Sequence, residues 1–120
     1  MKELIVDNNI FVKKGMTITQ LRDKLIDENI EDNIFFWLDG VHKLYSLEAS
    51  FQIGMYYKNG VIKNVEIFLL DDYKSNLSQS DDNKRYKELI NEMLKDGFNN
   101  TDFQYSFDRR NGYGSIILKY

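Results

Sequence analysis

The 120-residue chain has no cysteine and no proline, and only one alanine (Ala49), one histidine (His42) and one tryptophan (Trp37). Without cysteine, disulfides, a thiolate nucleophile and a thiolate metal site are excluded. No stretch approaches the roughly 18 apolar residues of a membrane helix. The opening "MKELIVDNNIF" meets Asp7 too soon to form a signal-peptide core, so the expected location is cytoplasmic, with no membrane partner. A net charge of −3 leaves no basic excess to neutralise phosphates, and Lys13-Lys14, Lys84-Arg85 and Arg109-Arg110 are isolated pairs. Nucleic acid is therefore not an expected partner.

Catalytic signatures are equally scarce. There is no HExxH, Walker loop, dinucleotide fingerprint or glycine-flanked nucleophilic serine. Asp71-Asp72 and Asp81-Asp82 lack the spacing and trailing glutamate of a calcium loop. His42 stands two residues after a turn glycine and reads as a solvent-exposed strand residue rather than a proton shuttle. No catalytic residue, metal or cofactor is expected. What is plentiful is Asn, Ile, Lys, Asp and Tyr, whose codons are A/T-rich, pointing to an AT-rich bacterial or phage genome.

The length fits one α+β domain spanning 1–120, large enough to bury about two-thirds of its unfolded surface. In "MTITQLRDKLIDEN" Thr17 and Gln20 form a capping box, and Ile18, Leu21 and Leu25 share a face, which predicts a first helix. Tyr86, Leu89, Ile90, Met93 and Leu94 predict a second, begun by Asp81 and Asp82 and stopped by Gly97. Three hairpins are expected. In the last, a two-residue Asn111-Gly112 turn pairs Phe107 with Ile116, Tyr105 with Leu118 and Phe103 with Tyr120. In the second, a three-residue Lys58–Gly60 loop pairs Ile53 with Val65 and Tyr57 with Val61. A short third hairpin turns at Asp39-Gly40 with arms Ile34–Leu38 and Val41–Leu47, and the opening segment supplies one more edge strand. The expected architecture is an antiparallel sheet of hairpins with two helices on one face.

These registers send Tyr56, Ile62, Glu66 and Phe68 to the face away from the helices, with Asn64, Gln104, Ser106, Ser115, Ile117 and Lys119. Tyr56 and Ile62 are expected to be partly exposed and directly opposite each other, with Phe68 roughly 20 Å further along. Aromatic rings ringed by polar groups suit a protein-binding surface, and Asp71, Asp72, Asp81 and Asp82 can steer a basic partner toward it. Trp37 reads first as a core residue and second as an interface anchor.

A small acidic α+β chain with the hairpin "GMYYKNGVIKNVEIFLL", a late helix ending "LKDGF" and a closing "RRNGYGSIILKY" resembles, in its layout over 17–120, bacterial toxin-immunity proteins of polymorphic or contact-dependent systems. That resemblance implies an inhibitor that binds a toxin domain, often a nuclease, and blocks its active site. Those proteins adopt unrelated folds, so no functional residue carries over. The expected function is a non-enzymatic protein-binding module whose partner is a protein such as a basic toxin domain. One alternative is a small-ligand-binding or enzymatic domain with a pocket between sheet and helices. Another is a subunit that forms a homo-oligomer through its open sheet face.

Overall fold

The central hairpin is written in the alternation of residues 51–69. A computed structural model, which describes residues 3–27, 35–69, 79–108 and 113–120, places β5 at Phe51–Lys58 and β6 at Val61–Leu69. With β3 (Leu25–Asp27), β4 (Phe35–Leu38), β7 (Phe103–Asp108) and β8 (Tyr113–Lys119) they form an antiparallel sheet of order β3-β4-β5-β6-β8-β7. β1 (Glu3–Val6) and β2 (Ile10–Lys13) make a separate two-stranded sheet, so the opening segment is a hairpin of its own rather than an edge strand. Asp7 and Asn8 turn it in the left-handed region, which Asp and Asn tolerate.

The α+β, mainly antiparallel class is observed, with one α-helix among the described residues instead of two. The late helix, α1 (Gln79–Lys95), presents buried Tyr86, Leu89 and Met93 to the sheet, while Leu94 is exposed. Its end is a Schellman motif: Phe98 N–H donates to Met93 O and Gly97 N–H to Leu94 O, with Gly97 left-handed and Phe98 packed into the core. The predicted early helix is two short 3₁₀ turns, Ile18–Gln20 and Arg22–Lys24, running into β3. Gln20 Oε1 does accept the Thr17 N–H at 2.7 Å. However, the backbone here is committed elsewhere. Ile18 N–H donates to Gly60 O, Met16 O accepts from Ile62 N–H, and Lys24 O accepts from Asp39 N–H. Tertiary pairing overrides local helical preference.

The β5–β6 turn is tighter than expected. Lys58 pairs with Val61 across Asn59-Gly60, both left-handed (φ 55° and 77°), as a type I′ turn requires. A regular ladder from that turn would set Ile53 against Glu66. Instead a bulge at Lys63 shifts the register by one, so that Tyr57 pairs with Ile62 but Met55 with Val65 and Ile53 with Ile67. In the closing hairpin Phe103 pairs with Leu118, Tyr105 with Ile116 and Phe107 with Gly114. The two-residue shift from expectation preserves the facing of every side chain. Its cause lies in β8, which is held between β6 and β7: Tyr120 N–H is taken by Lys63 O, and Lys119 N–H by Asp102 O. The Asn111-Gly112 turn and the Phe107 side chain lie outside the described residues.

The third hairpin does not form as expected. β4 inserts between β3 and β5, and residues 41–47 run past them with isolated bridges His42–Phe51 and Leu44–Val6. One core joins Leu4, Val6 and Val12 of the small sheet to Phe51, Ile53, Met55, Val65 and Ile67 of the large one. Among the described residues no helix is long and apolar enough to cross a membrane.

The bulge makes a testable statement. Deleting a strand residue ordinarily turns all that follow to the wrong face, but deleting Lys63 leaves Ile62 and Val65 both inward in a regular ladder. Denaturant titration should show a loss of only about 1 kcal/mol, for the Tyr120 hydrogen bond. Deleting Gln52, which carries Phe51 out of the core, should cost about 3–5 kcal/mol. Equal costs would refute the bulge register.

Candidate functional site

Paired residues share a face, so the rows opposite the core can be read across the strands. One row runs Ile26, Trp37, Gly54, Glu66, Ile117 and Gln104. The next runs Phe35, Tyr56, Asn64 and Lys119. A third holds Gln52, Phe68 and Ser115. Four rings gather there. Phe35 lies 4.5 Å from Tyr56 and 5.0 Å edge-on from Trp37, and Trp37 lies 5.7 Å from Phe68, between ring centroids. Such separations suit favourable aromatic pairing.

Gly54 makes this cluster possible. A Cβ there would sit 2.5 Å from Phe35 Cε1 and Cζ and 3.4 Å from Trp37 Cζ3. The Phe35 ring therefore lies over the backbone of Gly54 and is 6% exposed, while Trp37, Tyr56 and Phe68 around it are half-buried. Ile26, 46% exposed, extends the apolar surface at the β3 edge. Burial first, then the Glu66 carboxylate and the hydrogen bond to it, push the Tyr56 phenol above its ordinary pKa. Glu66 makes no ion pair among the described residues.

Of the residues expected to bind a partner, Tyr56, Glu66 and Phe68 are together on this face. Ile62 is not. It is 4% exposed and belongs to the core, because the Lys63 bulge reverses its facing relative to a regular strand. The same register puts Phe68 opposite Gln52, four residues from Tyr56, or about 13 Å rather than 20 Å. Asp71 and Asp72 lie outside the described residues, as do the side chains of Asp81 and Asp82, whose backbone is in the first turn of α1. Sequence reasoning missed Phe35 and put the core ahead of an interface for Trp37, which lies half-buried on the open face. A glycine inside a strand, here Gly54 in "FQIGMYY", signals close approach of another group and was the available clue.

His42 is also placed differently from expectation: it is 7% exposed. Its Nδ1 lies 2.6 Å from Asp7 Oδ2 and its Nε2 3.3 Å from Leu38 O. Asp7 also accepts the Lys43 N–H through Oδ1 and donates its own N–H to Lys43 O. The pair clasps the β1–β2 turn to residues 42–43. Beside it opens a groove of about 260 Å³ bordered by Asp7, Asn9, Asp23, Lys24, Asp39 and His42. Both imidazole nitrogens are engaged, so neither is turned to the groove for proton transfer. Among the described residues no group of His, Asp or Glu could hold a metal. Comparison of the chain with protein-family models, with curated proteins and with solved structures finds no match in any of the three.

Two outcomes test this geometry. Gly54→Ala should displace the Phe35 ring, change Trp37 fluorescence and cost about 1–3 kcal/mol; an unchanged spectrum and stability would mean that no ring lies on Gly54. The second concerns Asp7. Partial burial raises the pKa of its carboxyl, but the hydrogen bonds from His42 and the Lys43 N–H and the charges of His42 and Lys24 outweigh this and hold it below its ordinary value. A depressed folded-state pKa stabilises the protein above the unfolded value near 4, and this is lost as pH falls through the folded one. Asp7→Asn keeps a residue that tolerates the left-handed turn. It should lower stability at pH 7 and lose less on acidification below about pH 4 than the parent, read from denaturant midpoints. Parallel pH profiles would rule out the clasp.

Proposed function

We propose that this protein is a non-enzymatic protein-binding module that docks its partner on the open sheet face, and that its most concrete form is a cytoplasmic immunity protein inhibiting a cognate bacterial toxin. The observation that carries the reading is the cluster of Phe35, Trp37, Tyr56 and Phe68 on the face opposite the core. An antiparallel sheet with one covered face ordinarily turns polar residues outward on the other. Contiguous half-buried rings with a polar border have instead the composition of an interface centre, where Trp and Tyr are enriched. A net charge of −3 favours a basic partner. The toxin-directed form rests on the resemblance in layout.

The groove beside His42 favours a second reading, a small-ligand site. Engagement of both ring nitrogens and of both Asp7 carboxylate oxygens leaves that reading weaker.

A photo-crosslinking residue at Phe68, compared with one at exposed Lys87 on α1, identifies proteins captured from the sheet face alone in the native cell. With that partner purified, Tyr56→Ala and Phe68→Ala should each weaken binding by about 1–2 kcal/mol or more, with melting temperatures near the parent's. Affinity unmoved by both variants would place the interface elsewhere.

A further inference from the structure

Glu66 lies in the central row of the open face, and its position relative to the rings is specific. Across the sheet it is separated from Trp37 only by Gly54, which has no side chain to intervene. Tyr56, on the adjacent strand, packs its ring on Phe35, and burial together with the neighbouring Glu66 carboxylate raises its phenol pKa. No cation of the described chain neutralises that carboxylate. Lys119 is on the same face but pairs with Asn64 and makes no ion pair with Glu66. A half-buried carboxylate beside aromatic faces is an unmatched negative site, because ring faces carry negative quadrupole density that adds to the carboxylate's field.

Resting on the reading of this face as a docking surface, we infer that it receives an arginine side chain of a basic partner, the guanidinium pairing with Glu66 while stacking on Trp37 and Tyr56. Arginine fits better than lysine because its planar, weakly hydrated fork pairs with a carboxylate and stacks on a ring at once. Charge complementarity selects the partner: the chain is acidic, and an acidic surface segment would meet Glu66 with like charge. Glu66 supplies the charge, and Trp37 and Tyr56 on the neighbouring strands supply the stacking faces.

The probe is a capped Gly-Arg-Gly peptide, titrated at millimolar concentration into isotope-labelled protein, with the uncharged, nearly isosteric citrulline peptide as control. Trp37 is the only tryptophan, so its indole N–H reports on this face without ambiguity. The arginine peptide should shift the Trp37 indole and the Tyr56 and Glu66 amides, and the citrulline peptide should not. Glu66→Gln should reduce the arginine response roughly fivefold or more, with an unchanged melting temperature. Tyr56→Phe, which keeps the ring and removes the hydroxyl, should weaken it less than Glu66→Gln. No response to arginine, equal responses to both peptides, or indifference to Glu66→Gln would overturn the inference. Those results leave the docking face standing if Tyr56→Ala still weakens the crosslinked partner. If Tyr56→Ala leaves that partner's affinity unchanged, the docking face itself fails.

Discussion

The register of β5 against β6 is the constraint on which both faces of the sheet depend. β5 turns Phe51, Ile53, Met55 and Tyr57 to the core and Gln52, Gly54 and Tyr56 away from it. For β6 to match, Ile62, Val65, Ile67 and Leu69 must all face inward. Ile62 and Val65 are three residues apart, and a straight strand cannot place them on one side. The bulge at Lys63 resolves this, and its carbonyl is used again, to receive the Tyr120 N–H. From residue 64 onward the same register positions β8. At the far end of β6 the Leu69 N–H donates to Tyr86 Oη of α1. A slip of one residue would therefore disturb the hairpin, the β8 pairing and the helix docking together.

The open face is a consequence of that register together with a missing side chain. β4 lies between two strands and is apolar on both sides, with Phe36 and Leu38 in the core and Phe35 and Trp37 opposite. Two rings projecting from one short strand need space on the neighbour. Gly54 supplies it, at the usual cost in strand preference of a residue with no side chain to pack.

What the sequence made legible follows from the range of each interaction. α1 with its Gly97 stop, the pairing of β5 with β6 and of β7 with β8, and the facing of Tyr56, Glu66 and Phe68 are encoded by local periodicity. The turns were not, since Lys58 pairs with Val61 rather than Tyr57 with it, and Asp108 pairs with Tyr113, two residues off the register of an Asn111-Gly112 turn. The 17–27 segment was not legible in this way. Ile18, Leu21 and Leu25 have helical spacing, but hydrogen bonds to Gly60, Ile62 and Asp39, distant in sequence, hold the backbone in short turns and a strand. His42 was misplaced for the same reason, since Asp7, its partner, is 35 residues away. Ile62 was assigned to the wrong face because two local signals conflicted there. The Asn59-Gly60 turn and the apolar pairing each implied a different ladder, and only an inserted residue satisfies both.

The four rings are not equivalent, and their inequality bears on how such a face works. Phe35 is nearly enclosed by its own neighbours and rests on backbone, so its position is fixed before any partner arrives. Trp37 and Tyr56 flank it, Phe68 lies beyond Trp37, and all three keep part of their surface in water. The pre-placed ring packs against Trp37 and Tyr56, and Trp37 in turn against Phe68, so less side-chain entropy would be lost were a partner to cover them. The surface left open is then three half-buried rings with the half-buried Glu66 carboxylate among them, in which water is poorly accommodated by the rings and well held by Glu66. A partner that covers the rings but leaves Glu66 unpaired would bury a charge without compensation, which is unfavourable. Under the docking role proposed above, the carboxylate would select among apolar partners: those that bring a cation would be admitted, and those that do not would be penalised by the same burial that would otherwise attract them.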